Sequence, residues 1–89
     1  MNAVISVVGN DKVGILAYVS SKCMESNANV IDVSQTVLNE YFVMIMVVSI
    51  DKLNCEFTSF VDMLENEGKE KGLDIHVMHE DIFNSMHKI

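Results

Sequence analysis

The 89-residue chain predicts an α+β sandwich of element order β-α-β-β-α-β, on three observations. Four runs of β-branched, alternating or wholly apolar residues read as strands. Two stretches with apolar residues at helical spacing read as the helices between them. Gly and Asn stand at the joints, and Pro is absent. Two right-handed crossovers sharing one antiparallel sheet make a ferredoxin-like sandwich. Both helices then lie on one face, and the other face is open unless something covers it.

Residues 3–8 are rich in Val and Ile and stop at Gly9, which predicts the first strand. Residues 10–13 are a loop. After Gly14, the spacing of Ile15, Leu16, Val19 and Cys23 makes one buried face of a helix. Ser26-Asn27-Ala28-Asn29 stops it, because Asn tolerates the conformation that closes helices. Residues 30–38 mix apolar β-branched and polar residues and predict a second strand, followed by a two-residue turn at Asn39-Glu40. Residues 41–50 are almost wholly apolar, so the third strand is expected in the centre of the sheet or at an interface, buried on both faces.

Beyond the polar residues 51–54, Phe57, Phe60, Val61 and Leu64 define a second helix that ends within residues 66–71, before Gly72. Leu73, Ile75 and Val77 alternate with Asp74, His76 and Met78, giving a fourth strand with one dry face. His76 and His79 lie three apart on that strand, so they point to opposite faces and share no metal. Ile82, Phe83, Met86 and Ile89 recur at helical spacing. The expected organisation is therefore one domain at residues 1–80 and a helical C-terminal extension at 81–89, docked on the sheet edge or on a partner chain.

Composition excludes several classes of function. The formal net charge is −7, and all six basic residues are Lys. Nucleic-acid binding requires a cationic surface that displaces counterions, so no nucleic-acid partner is expected. Without Arg there is no bidentate clamp for phosphate or carboxylate. Cys23 and Cys55 read as ordinary thiols of a cytoplasmic protein. There is no signal-peptide pattern, and the longest apolar run, residues 42–48, is too short to cross a membrane. A domain of this size buries only about 60 % of the surface its unfolded chain exposes, so pairing with a second copy is a natural remedy.

The βαββαβ order hosts many functions, so the loops have to decide. An RNA-recognition domain needs basic charge and stacking aromatics on the third strand, which here reads YFVMIMVVSI. A copper-chaperone domain needs paired Cys in the first loop, and an acylphosphatase-like enzyme needs Arg there; GNDKVG supplies neither. Gly9 and Gly14 mimic half of a phosphate loop, but Ile15 and Leu16 stand where Lys and Ser or Thr are required. No constellation of nucleophile, base and acid is present, so an enzyme is not expected.

The stretch VVGNDKVGILAYVSSKCMESNANVIDVSQT, Val7 to Thr36, resembles the opening of an ACT domain, the small ligand-binding module of amino-acid metabolism. The resemblance lies in a strand that ends in a D-x-x-G-[IV] loop, met by Asp11-Lys12-Val13-Gly14-Ile15. A helix follows, and an Asn opens the second strand, met by Asn29-Val30-Ile31. It extends over essentially the whole chain. It is similar to free-standing bacterial or archaeal ACT proteins and to the ACT half of a glycine-cleavage regulator, whose DISQTVL…YF-type strands compare with DVSQTVLNEYF here. Val13 departs from the Pro of many members, which leaves the loop less rigid when empty.

The resemblance implies a small-molecule sensor without cofactor or metal, taking an amino acid as its ligand. The implied ligand-binding residues are Asn10, Asp11, Lys12, Val13, Gly14 and Ile15, with Asn29 and Ile31 on the second strand. It further implies a homodimer in which two sheets join into one of eight strands with ligands at the seam, and a separate enzyme or regulator as the partner it modulates. The loop chemistry agrees. Gly14 permits close approach, the first helical N–H groups favour a carboxylate, Asp11 suits an α-ammonium, and Asn29 both donates and accepts. Each also has a plain structural explanation: Asp11 as a helix cap, Gly14 as a tight turn, Asn29 as a turn residue and Lys12 as a solvated charge. The alternative reading of the whole is a ligand-free adaptor that docks a partner through its open sheet face or C-terminal helix.

Overall fold

The computed structural model describes residues 1–10 and 14–86. Asp11, Lys12 and Val13 of the predicted ligand loop lie outside the described residues, as do His87, Lys88 and Ile89 of the predicted closing helix. The elements are β1 (Asn2–Gly9), α1 (Ile15–Glu25), β2 (Asn29–Leu38), β3 (Tyr41–Ser49), α2 (Phe57–Glu70), β4 (Asp74–His79) and α3 (Glu80–Met86). The four strands form one antiparallel sheet in the order β2-β3-β1-β4. This is the predicted ferredoxin-like sandwich with a helix at the C-terminal end.

Paired residues in antiparallel strands share a face. Ala3, Ile5 and Val7 of β1 therefore sit beside Met44, Met46 and Val48 of β3 and Ile75 and Val77 of β4. All are buried, and Ile15, Val19 and Cys23 of α1 and Phe60 and Leu64 of α2 close over them. Leu16, expected on the same face of α1, is 37 % exposed instead. The helix turns about 100° per residue, so the step from Ile15 carries Leu16 off the core face and toward the β2 side.

Both helices end in the same closure. Asn27 takes φ 62°, Ala28 N–H donates to Cys23 O at 2.8 Å and Asn27 N–H to Met24 O at 3.1 Å. Gly72 takes φ 74°, with Leu73 N–H on Gly68 O at 2.8 Å and Gly72 N–H on Lys69 O at 3.1 Å. These paired bonds satisfy carbonyls that the helix leaves open, and the buried Ala28 and Leu73 seal each turn. A polar clasp joins the helices. The Tyr18 hydroxyl donates to Glu67 at 2.9 Å, Lys22 Nζ stands 3.1 Å from the same carboxylate, and Lys71 Nζ lies 4.7 Å from the Tyr18 ring centre.

One strand differs from expectation. β3 is buried on one face only; Val43, Ile45 and Val47 on the other are half-buried. β2 is exposed over nearly its whole length because it is the edge strand, with a register shift between Val30 and Asp32 that leaves Ile31 as the irregular residue. The apolar content of both segments was legible, but burial depends on neighbours, and β2 has one paired side instead of two. The closing helix begins at Glu80, one residue before the expected start. His76 and His79 face opposite sides as expected: His76 is exposed beside Asp74, whereas His79 stacks on Phe57 with ring centres 4.2 Å apart. Among the described residues, no helix is long and apolar enough to cross a membrane.

Candidate functional site

The candidate site has two parts on one chain, at opposite ends of the sheet. At one end β1 finishes at Gly9, which pairs with Phe42. A Cβ on Gly9 would meet Leu73 Cδ2 at 2.6 Å, so glycine lets the strand pass beneath that side chain. The chain re-emerges at Gly14, which occupies the N-cap position of α1 at φ 77°. Gly14 O accepts from Tyr18 N–H at 2.9 Å, which closes the first turn. Glycine has no side chain with which to cap that turn, and the turn carries no acidic residue. The leading N–H groups therefore concentrate the positive end of the helix dipole. Among the described residues, a Cβ on Gly14 would meet nothing within 4 Å. Asn10 is exposed beside it, whereas Ile15 is 4 % exposed and spends its side chain on the core.

At the other end, Asn29 opens β2 opposite Ser49, which also faces Asn2. From that level to Gly9 is seven strand residues, about 24 Å. The sequence placed Asn29 with the Gly14 loop, and within one chain the fold sets them apart. Asn29 instead lines an open cleft of about 620 Å³ with Ser20 and Met24 of α1, Asn27, Ala28, Val30, Ser49, Asp51 and Lys52. Ile31 is adjacent and 53 % exposed.

Polar contacts hold the cleft walls. Asn27 Nδ2 donates to Lys52 O at 2.7 Å. Asn54 Nδ2 donates to Glu25 O at 2.8 Å, and Asn54 N–H to Ser26 O at 3.0 Å. The N-terminal ammonium pairs with the Asp51 carboxylate, and that hydrogen bond holds Asp51 below the usual carboxylate range. Sequence reasoning missed Ser20, Asp51 and Lys52. They are ordinary polar residues on two separate segments, α1 and the turn after β3, and only the paired ends of β2 and β3 bring them beside Asn29.

The edge between the two parts is apolar. Leu16 and Met24 of α1 and Val30, Ile31, Val37 and Leu38 of β2 are all exposed, at 37–75 %. β2 has a neighbouring strand on one side only, with Val33 N–H donating to Asp32 Oδ1 at 2.9 Å, and such an edge is one that proteins cover or pair.

The chain matches the ACT domain family over residues 2–78. It is 47 % identical over all 89 residues to a UPF0237 protein of Clostridium perfringens, covering the whole of both chains. It is 44 % identical over 86 residues to one of the archaeon Methanocaldococcus jannaschii, covering 97 % of this chain and 96 % of that one. Among solved structures, an ACT domain protein from Streptococcus pneumoniae superposes with TM-score 0.82 at 44 % identity, covering 93 % of each chain. A putative glycine cleavage system transcriptional repressor shares the fold at TM-score 0.72 and 24 % identity, over 86 % of this chain and 44 % of that one. The βαββαβ topology, the glycine at the mouth of α1 and the match across the domain agree: the chain belongs to the ACT domain family.

Proposed function

We propose that this protein is a metabolite sensor: a homodimeric ACT domain that binds a small zwitterion, an amino acid, and passes that state to a separate protein. The observation that carries the reading is Gly14, which caps α1 at φ 77° and leaves its first turn without a side-chain cap. A carboxylate bound there accepts hydrogen bonds from backbone N–H groups without help from Arg.

That Gly14 and Asn29 belong to opposite ends of the sheet, about 24 Å apart along the strands from the Asn2 level to Gly9, favours a dimer rather than opposing the reading. β1 and β2 both run antiparallel to β3, so they are parallel, and the end of β2 shares an end of the sheet with Gly14. Two β2 edges paired about a two-fold axis run antiparallel. The start of β2 in one protomer, with Asn29, then lies level with the end of β2 in its partner, where the partner's helix mouth is. Each ligand would meet Gly14, Asn10 and the loop residues Asp11, Lys12 and Val13 of one protomer, and Asn29 and Ile31 of the other. The exposed apolar residues of β2 and α1 would be covered by the same act.

Calorimetric titration against the twenty amino acids tests the reading. Heat and a thermal shift with at least one of them are expected. Asp11→Ala and Asn29→Ala should each weaken that binding while leaving the unliganded fold intact. No heat with any amino acid, or affinity indifferent to both substitutions, would refute it.

A further inference from the structure

The face of the sheet opposite α1 and α2 has an uneven cover and an uneven charge. Its residues form a grid: Thr36, Val43, Val8 and Asp74 in one row; Ser34, Ile45, Ser6 and His76 in the next; Asp32, Val47, Val4 and Met78 in the third. Val4 is 2 % exposed although it points away from the main core. The element that contacts both β1 and β4 is α3, and Asn2 Nδ2 donates to Glu80 at its first residue. α3 therefore lies at the end of the β1–β4 half where Val4 and Met78 sit, while His76 and Asp74 farther along that half stay exposed. Val43, Ile45 and Val47 on the β3 half are only half-buried. Strands lie about 4.8 Å apart, so the β2–β3 half is about one helix wide. From Val43 to Val47 is about 14 Å, between two and three helical turns.

Among the described residues, four carboxylates stand around this strip. Asp32 and Asp74 lie in the grid, and Glu80 and Asp81 begin α3. His76 pairs with Asp74 at 3.1 Å. Among the described residues every lysine is elsewhere: Lys22 on α1, Lys69 and Lys71 on or just after α2, and Lys52 in the turn before it. The N-terminal ammonium is taken by Asp51. A second copy laid on this face would set carboxylates against carboxylates, and an anionic membrane would be repelled.

We infer that the strip formed by Val43, Ile45 and Val47 is a docking groove for one amphipathic helix of a partner protein, seated beside α3. That helix has an apolar stripe of two to three turns flanked by Lys or Arg. The apolar stripe supplies the affinity and the carboxylate rim sets orientation and encounter rate. This inference does not rest on the ligand reading, because the groove lies on the face away from α1.

The test is titration of 15N-labelled protein with a Leu/Lys peptide of about 18 residues in helical amphipathic register, about five turns. Its controls are a scrambled peptide of the same composition and a Leu/Glu peptide. Amide shifts should centre on Val43, Ile45 and Val47, with the scrambled and Leu/Glu peptides binding at least about tenfold more weakly. Asp32→Lys, on the exposed edge, should weaken binding about two- to fivefold. Ile45→Lys should abolish the shifts in a chain whose remaining spectrum is unchanged. Shifts centred on the acidic surface of α2, at Asp62 and Glu70, or equal binding of the scrambled peptide, would overturn the inference. Shifts at these residues that depend on protein concentration without peptide would do the same, by showing a second copy in the groove.

Discussion

Replacing Ile31 and Val37 together by Lys should split the proposed dimer without unfolding the protomer. In the single chain Ile31 is 53 % and Val37 54 % exposed, so each protomer loses little when they change. Fully burying such a side chain contributes about 1.5–3 kcal/mol, and roughly half of that surface is still available to a partner, about 1 kcal/mol per side chain. A two-fold interface counts each residue twice, so the pair of substitutions removes about 4 kcal/mol before any charge repulsion. At 1.4 kcal/mol per decade this raises the dissociation constant about a thousandfold. Sedimentation equilibrium measures it directly, with circular dichroism as the control for folding. Amino-acid binding should fall with the dimer, because the proposed ligand draws on both protomers. If wild type and variant sediment alike, or if the variant binds ligand as a monomer, the seam along β2 is not where the site forms.

Gly68→Ala should destabilise the protein although it lies within the last turn of α2. Helix propensity favours Ala by about 1 kcal/mol, but the new Cβ would lie 2.7 Å from Ile75 Cδ1 and 2.8 Å from Cγ1, and overpacking of that kind costs about 1–3 kcal/mol. In an Ile75→Ala background the same change should stabilise, which a denaturant double-mutant cycle would show. Gly14→Ala should cost only about 1–2 kcal/mol, from the left-handed backbone alone, since among the described residues no atom lies within 4 Å of its Cβ. Gly14→Asn should cost less in the same denaturation assay.

The clasp between the helices predicts a pH profile. Lys22 above all, and then Tyr18, hold the Glu67 carboxyl below its ordinary range, so its contribution is complete above about pH 4.5 and fades as pH falls through the lowered value. Burial first, and then the Glu67 hydrogen bond, push the Tyr18 hydroxyl up to about 12, so its contribution is complete below pH 10 and fades between 10 and 12. Stability measured against pH should lose the alkaline slope in Tyr18→Phe; an unchanged slope would clear Tyr18. Cys55 is exposed, whereas burial pushes the Cys23 thiol up to about 11. A thiol reagent should therefore label one site quickly and the second only on unfolding.

Local pattern was enough to read the strands, both main helices and their stops at Asn27 and Gly72, because apolar period and backbone preference act within a few residues. The Gly14 turn was legible for the same reason, and the family likeness was carried by the loop and by Asn29. Tertiary structure alone decided where those marks ended up. Strand order made β2 an edge, so its apolar residues are exposed rather than buried, and it set Asn29 and Gly14 at opposite ends of one protomer. The same order drew Ser20, Asp51 and Lys52 to Asn29 and left half of the outer face open beside α3. Burial, exposure and the meeting of distant side chains depend on which strands lie side by side, and pairing between strands far apart in the chain leaves no local signature in either one.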